Sequence, residues 1–460
     1  MRTWIDLRPE TLMATEGFVR AYTARTPRSR RLWEEARRVL PGGVSGNAKF
    51  FKPHPIYVEK ASGSRVVDAD GNVYIDLLAG AGSAILGHGP EAVARAVTTQ
   101  LGQAIAPIFA TELEIRLARK VTTHMRYMEM VRFVNSGSEA TFLLARAARA
   151  FTGRERIAKF EGNYHGQHDF GLTGAFVAGA GSDHRPEPIA GCAGTERSSL
   201  NDLLLLPYND AAALDIVREH ANELAAVFIE PVAGFGIGAI PADRDWLAAL
   251  RDLMAEKGIL LVFDEIVTGF RLGLGGASSW FGVDPDLGAI GKIIGGGFPI
   301  GGFGGRRDIM EKVVTPTKEP SDVKEKIFAS GTFSGNPVSM TAGLAMISEL
   351  ERGDVYDTLA RRGERLRAGL REAGRREGLE LQATGIASIF HVHFAGEPIR
   401  DKRSAMRADP VKQYAFSIGM ISKGVLLPPA HPGFLSTAHS EADVDEILRV
   451  AGDVLREMAG

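Results

Sequence analysis

Between about residues 110 and 305 the chain alternates short, continuously apolar runs with amphipathic segments of helix length, and few architectures accept that rhythm. The runs are "MVRFVN" (130–135), "RIAKFE" (156–161), "LAAVFIEP" (224–231) and "GILLVFDE" (258–265). A strand that is apolar on both sides must be covered on both sides. β-α-β units achieve this by laying helices over each face of a mostly parallel sheet. Segments such as "DRDWLAALRDLMAEK" (243–257) supply those helices. The expected fold class is α/β, with functional groups gathered at the carboxyl ends of the strands.

The flanks read differently. "IYVEKASGSRVVDADGNVYIDLL" (56–78) alternates apolar and polar residues around Ser-Gly and Asp70-Gly71-Asn72, the pattern of antiparallel hairpins. "PEAVARAVTTQL" then starts a helix with Pro90 in its first turn. From about 333 the chain is helical through "LARRGERLRAGLREAGRREG" (359–378) and returns to strands at "ASIFHVHF" (387–394), a smaller α+β domain. With 460 residues one core does not suffice. The division expected is an N-terminal segment (1–80) packing with the C-terminal domain, a large domain (81–332) and a small domain (333–460).

Charge and cysteine content narrow the function classes. Lys+Arg 54 against Asp+Glu 56 leaves a formal net charge of −2, with no footprint for nucleic acid or anionic membrane. The basic run "RTPRSRRLWEEARRVL" reads as a solvated amphipathic helix with Leu32, Trp33, Ala36 and Leu40 on one face. A single cysteine, Cys192, excludes an internal disulfide framework and fits a reducing cytoplasm. Its setting, "IAGCAGTERSS", is a loop rather than a nucleophile's pocket. The start of the chain lacks an apolar h-region, and no run is long enough to span a bilayer.

Four stretches carry chemistry. "AIGKIIGGGFPIGG" (289–302) sets Lys292 among apolar residues and glycines; either the lysine snorkels from a loop, or its charge is lowered because it reacts. Asp264 and Glu265 terminate the apolar run Leu260–Phe263. A buried aspartate there is costly without a cation. It is either a cap or loop ion pair, or a carboxylate that holds a proton on a ring nitrogen or binds a metal. "VNSGSEATFLLARAARAF" places Ser136, Gly137 and Ser138 between a strand and a long helix, where free N–H groups and the helix dipole suit phosphate, without Walker spacing. In "FEGNYHGQHDF" (160–170), Tyr164 and His165 stand where a planar side chain stacks on an aromatic ligand. The His165/His168 pair raises a metal reading, but glycines break any helix and Asp169 is the one neighbouring carboxylate, so no metal is expected.

A lysine, a strand-end aspartate, a phosphate-like helix start and a stacking aromatic describe a pyridoxal 5′-phosphate (PLP) site. In that reading the lysine escapes the cost of a bare buried ammonium by joining an aldehyde. The stretches "PGGVSG", "DADGNVYIDLLAG", "NSGSEA", "FEGNYHGQHDF", "EPVAG", "LVFDEIVTGFR", "GKIIGGGFPIGGFGGR" and "GTFSGNP" extend the pattern. From about Pro41 nearly to its C-terminus the chain resembles the class III (fold type I) aminotransferases, most closely their glutamate-1-semialdehyde aminomutase-like branch.

The resemblance implies a seven-stranded-type sheet in the large domain. It assigns Lys292 to the Schiff base and to proton transfer, Asp264 to the pyridine nitrogen, and Ile266 and Tyr164 to the two ring faces. Ser136, Gly137 and Ser138 would line the phosphate, with His165 and Glu230 beside the cofactor. Thr332 of "GTFSGNP" would reach in from a second subunit, which implies a homodimer; the bland reading in one chain is a loop residue, against which its Gly-Thr-Phe-Ser-Gly setting matches the family closely. Ping-pong transfer between an amino acid and an oxo acid follows.

Three departures concern the substrate. Where true aminomutases carry a carboxylate-clamping arginine, this chain offers Lys49, a point charge without the bidentate fork. Their glutamate before "GF" is replaced by His431-Pro432, and an asparagine after "EPVAG" by Phe235, which is either pocket wall or plain packing. Phe50 and Phe51 are further wall candidates. The expected function is an intermolecular aminotransferase acting on a small carboxylate-bearing amino acid, with aromatic D- or β-amino acids among the candidates. The alternative is glutamate-1-semialdehyde 2,1-aminomutase. A racemase on the same scaffold stands behind these. A PLP-binding regulator would need a DNA-binding module, for which the first forty residues are too short.

Overall fold

The apolar runs Leu224–Ile229 and Leu260–Glu265 are buried at every position, as strands covered on both faces must be. In the computed structural model, which describes residues 15–460, they belong to a seven-stranded sheet. Its members are β1 (Met130–Val134), β2 (Arg156–Phe160), β3 (Leu203–Leu206), β4 (Leu224–Ile229), β5 (Leu260–Glu265), β6 (Leu287–Gly291) and β7 (Gly301–Gly305). Their spatial order is β1-β7-β6-β5-β4-β2-β3. Strand β7 runs antiparallel to both neighbours, while the pairs from β6 through β3 are parallel. This is the mostly parallel sheet that the sequence and the resemblance imply.

Register positions the chemistry. Asp264 of β5 pairs with Ala289 of β6 and Glu265 with Ile290, so these two strands end side by side. Lys292 follows β6 directly, at the same edge of the sheet as the β5 carboxylates. Strands β3, β6 and β7 were not among the runs singled out in the sequence. In β7 four of five residues are glycine, so no apolar periodicity marks it. A Cβ at Gly301 would stand 2.1 Å from the Ser136 carbonyl oxygen, and that closeness accounts for glycine there.

Helix α1 (Gly137–Thr152) follows β1 and covers the sheet with Ala140, Leu143, Leu144, Ala147 and Ala148. These join Phe228, Val262, Ala289 and Phe303 in one core cluster. Helix α2 (Arg244–Lys257) is stopped as the sequence suggests. Asp243 accepts from the N–H groups of Asp245 and Trp246, and Gly258 closes the far end in the left-handed conformation. Helix α3 (Pro337–Leu350) is buried over most of its length. The compact unit containing these elements spans Glu91–Tyr356, beyond the expected end at 332, and includes Arg400–Ala405.

The second unit takes in the described residues up to Pro90, Asp357–Ile399 and Met406–Gly460. Its antiparallel strands Val58–Ser62, Arg65–Asp68 and Val73–Asp76 are extended by the parallel strand Val425–Leu426. Asp68 Oδ1 accepts from the N–H groups of Asp70 and Asn72, which fixes the turn read at 70–72. A second sheet joins Leu381–Ile386, Ile389–Phe394 and Gly433–Phe434. The helix expected near the basic run ends at Ala36, so Leu40 falls outside its face. Among the described residues no helix is long and apolar enough to cross a membrane.

Candidate active site

Successive residues of a strand point to opposite faces, so the two carboxylates ending β5 cannot share one environment. Asp264 is 6% exposed; its Oδ2 accepts from His165 Nδ1 at 2.8 Å and its Oδ1 from the Ile266 N–H at 3.1 Å. Glu265 turns the other way and accepts from the Ala277 N–H, Thr268 Oγ1 (3.1 Å) and Tyr127 OH (3.3 Å). Burial pushes its carboxyl up to about 7 despite these donors. Asp264 therefore faces the other candidates, and Glu265 is built into the fold.

Lys292 is the first residue of a short 3₁₀ turn, with φ +47°. A left-handed conformation at a non-glycine residue is strained, and such strain gathers at functional sites. Burial lowers its ammonium below the ordinary lysine value; Asp264 and Glu230 oppose that shift, and Arg271 adds to it. Glu230, after β4, accepts from the Tyr164 N–H at 2.6 Å and the Gly234 N–H at 3.1 Å. Burial pushes it up to about 8, with Asp264 contributing.

The helix start read at 136–138 is a capping box. Ser136 Oγ accepts from the Glu139 N–H, and Glu139 Oε2 accepts from the Ser136 N–H. The box leaves the first-turn N–H groups of Gly137 and Ser138 outside it, at the positive end of a 16-residue helix. Ile266 lies against the backbone here: a Cβ on Gly137 would come within 2.9 Å of Ile266 Cδ1, and one on Gly291 within 3.0 Å.

Tyr164 is half-buried, and burial raises its hydroxyl above the usual range while a hydrogen bond with Ser138 opposes this. Its ring lies 5.5 Å from Phe176 and 5.8 Å from Phe235, and those two are 5.4 Å apart. The three rings form an aromatic wall beside the Ser138 hydroxyl.

The structure thus brings Lys292, Asp264, His165, Glu230, Tyr164, Ser138, Ile266 and Phe235 into one unit. Lys49 lies in the second unit, where its Nζ donates to Ser45 Oγ at 2.9 Å. Thr332 is exposed and lines a cleft of about 500 Å³ with Ile108, Ile115, Arg132 and Ser334. Each histidine of the metal reading is bonded within the fold through at least one ring nitrogen. His165 bonds to Asp264, while His168 accepts the Gly171 N–H and meets Thr141 Oγ1 at 2.9 Å. Among the described residues no cluster of histidine, cysteine and carboxylate could hold a metal. Cys192 is exposed.

Sequence reasoning missed Phe176 and Lys159. Lys159 is fully buried and donates to the Gly171 and Thr173 carbonyls at 2.9 Å each, and burial lowers it to about 7. It hid inside an apolar run that reads as plain strand. Phe176 has no local pattern to betray it.

The donor set fits PLP. The first turn of α1 would hold the phosphate, Asp264 would meet the ring nitrogen, and Lys292, whose ammonium burial destabilises, would meet the aldehyde. Comparison with known proteins agrees. The profile of the family "Aminotransferase class-III" matches residues 48–402. Glutamate-1-semialdehyde 2,1-aminomutase of Archaeoglobus fulgidus is 40% identical over 430 residues, covering 93% of this chain and 99% of that protein. An omega-transaminase from Sphaerobacter thermophilus superposes with a TM-score of 0.88 and 37% identity, covering 94% of this chain and 98% of its own. A β-phenylalanine aminotransferase from Variovorax paradoxus gives 0.85 and 34%, covering 96% and 97%. A transaminase with PLP bound gives 0.83 and 31%, covering 94% and 98%. With the family profile matching residues 48–402 and a relative 40% identical over 93% of the chain, the chain belongs to the class III aminotransferases, a PLP-dependent family.

Proposed function

We propose that this chain is an intermolecular aminotransferase that takes an amino group from a carboxylate-bearing amino acid with an apolar or aromatic side chain and returns it to an oxo acid. The observation that carries this is the wall of Tyr164, Phe176 and Phe235, three rings within 5.4–5.8 Å of one another. Such a surface favours an apolar substituent over the short polar chain of a semialdehyde. The solved transaminases at 37% and 34% identity support the same reading.

Bound PLP supplies an electron sink for a carbanion. The residues do the rest. Lys292 Nζ, whose charged form burial disfavours so that the free amine is at hand, would take the substrate Cα proton and return it. Asp264, oriented by His165, holds the proton of the ring nitrogen. Gly137 and Ser138 N–H groups bind the phosphate, and Ser136 and Glu139 hold that turn open. Ile266 and Tyr164 would hold the ring between them, and Glu230 fixes the Tyr164 backbone. A second copy of the chain supplies Thr332, which makes the working form a homodimer. The exposed lone Cys192 suits the cytoplasm.

The second reading is glutamate-1-semialdehyde 2,1-aminomutase. The curated relatives favour it over the first, since those at 38–41% identity over most of this chain carry that name. One experiment separates the two. Purified holoenzyme is mixed with the semialdehyde alone and, separately, with 3-amino-3-phenylpropanoate and 2-oxoglutarate. Glutamate formation only in the second mixture supports the first reading; 5-aminolevulinate formation in the first mixture, with no glutamate in the second, overturns it.

A further inference from the structure

We propose that Lys402 and Arg403 are positioning residues that clamp the Tyr164–Phe176–Phe235 wall from behind and so set the preference for aryl-bearing amines. The inference rests on the reading that this wall meets the substrate. Residues 400–405 belong to the first unit, although the chain on both sides of them belongs to the second.

Arg403 uses every donor it has. Its Nε and Nη2 form a fork on Glu161 at 2.8 and 3.2 Å; Nη2 also donates to the Ala180 carbonyl at 2.7 Å. Nη1 donates to the Gly181 carbonyl at 3.3 Å and to Asp183 Oδ1 at 3.0 Å. The side chains of Arg403 and Glu161 are 11% and 4% exposed, so this is a largely buried bidentate pair, the geometry that fixes direction as well as distance. Lys402 Nζ donates to the Gly236 carbonyl at 2.7 Å.

The contacts reach the three loops that carry the rings of the wall. Glu161 is three residues before Tyr164 on the same short loop, and Asn163 and Tyr164 within that loop are bonded to Glu230. Ala180 is four residues after Phe176, and Gly236 directly follows Phe235. The loops are also pressed together. A Cβ on Gly162, which has φ +86°, would lie 2.4 Å from Ile237 Cγ1 and 2.8 Å from Lys402 Cβ. The strap holds its own shape: the Ser404 N–H donates to Asp401 Oδ1 at 2.7 Å, and Ser404 Oγ accepts from the Arg400 and Asp401 N–H groups at 3.0 Å each. Neither Lys402 nor Arg403 is argued to touch substrate or cofactor; both act through the loops.

The test uses full-length holoenzyme and the variants Arg403→Met, Arg403→Lys, Lys402→Met and Phe235→Asn. Two quantities are read: kcat/KM for 3-amino-3-phenylpropanoate relative to alanine, with 2-oxoglutarate as acceptor, and hydrogen exchange of peptides covering 161–166, 176–183 and 234–238. Arg403→Met and Phe235→Asn are each expected to lower the aryl-over-methyl ratio about tenfold, the discrimination a lost apolar contact carries. Arg403→Met is also expected to speed exchange in the three peptides, with Arg403→Lys between it and the parent. A purely structural role would slow both amines equally and leave the ratio in place, which overturns the proposal. A ratio that moves in Phe235→Asn but in none of the strap variants overturns it too. A ratio that stays put in Phe235→Asn, or a parent enzyme that accepts neither amine, overturns the reading of the wall instead. Exchange then decides the strap alone: faster loops sustain the clamp and unchanged loops end it. Should Arg403→Met fail to fold, Arg403→Lys and Lys402→Met give the same two readings.

Discussion

His165 Nδ1 donates to Asp264 Oδ2 across 2.8 Å, and the histidine side chain is sealed from solvent. The bond fixes the tautomer, because a carboxylate only accepts. Burial keeps the imidazole below its ordinary pKa and hence neutral, although Asp264 pulls the other way. The pair therefore presents one oriented negative charge at the carboxyl end of β5. Asp264→Asn keeps an acceptor for His165 and loses that charge. Turnover should fall about 10²–10³-fold, the usual cost of removing one electrostatic partner, while the urea midpoint of the protein stays close to the parent's. A variant with near-parental turnover would remove Asp264 from the chemistry.

Glu265, one residue on, should behave oppositely. Its carboxylate serves four donors inside the fold: the Ala277 and Ser278 N–H groups, the Thr268 hydroxyl and the Tyr127 hydroxyl. Glu265→Ala leaves these donors buried without their acceptor, and stability should drop by about 2–4 kcal/mol. Turnover per folded molecule should change only a few-fold. Equilibrium urea unfolding beside active-site-normalised kinetics separates the two carboxylates.

Much of this was legible in the sequence because the deciding signals are local. Strands β4 and β5 announce themselves as apolar runs, and the 136–139 capping box and the 70–72 turn follow from residue types at fixed offsets. The resemblance supplied the roles of Lys292 and Asp264, which composition alone left open. What stayed hidden depends on contacts far apart in sequence. Strand β7 is nearly all glycine, chosen because neighbouring carbonyls leave no room for a Cβ. Buried Lys159 looks like any strand residue until its two carbonyl partners are seen. Which of two adjacent carboxylates faces the site is a matter of strand phase, and the sequence does not label the faces.

Lys292 sits in a left-handed conformation with its ammonium destabilised by burial, so it costs folding energy that function must justify. Its folded pKa is lowered, so the unfolded state holds the proton more tightly and the apoprotein gains stability as pH rises toward the ordinary lysine value. Lys292→Met should therefore leave the cofactor-free protein as stable as the parent or more so at pH 7. Activity should fall by more than about 10³-fold, since nucleophile and base are lost together. Borohydride reduction and peptide mapping should tag position 292 in the parent; a tag at any other lysine would reassign the site.

Acid sensitivity should centre in part on His168, which burial, reinforced by His165 and Lys159, lowers to about 4. Below about pH 6.5 the unfolded chain gains a proton there that the folded chain refuses, so folding weakens as pH falls. The loss from this one group reaches about 2 kcal/mol by pH 5. His168→Gln keeps a partner for Thr141 and cannot titrate. Its stability difference between pH 7.5 and pH 5.0 should be smaller than the parent's by that amount, read from urea unfolding at the two pH values. Equal differences would show that His168 takes up its proton as readily in the fold as in the unfolded chain.

Thr332 offers the sharpest test of a shared site. It is exposed on the loop before α3, and its cleft is lined by Ile108, Ile115 and Arg132 rather than by Lys292 or Asp264. If it serves the phosphate of a neighbouring subunit, Thr332→Asp puts a like charge beside that anion and silences the neighbour's site, while Lys292→Ala silences a subunit's own. A mixed dimer of the two variants then holds one site with both defects and one with neither. Random mixing makes half the dimers mixed, so about a quarter of parental activity should return. Were Thr332 to act within its own chain, every site in the mixture would carry one defect and no activity would appear. Co-refolding the two inactive variants and assaying the product distinguishes these outcomes without knowledge of the natural substrate, because any amine that converts the parent's bound cofactor serves as the probe.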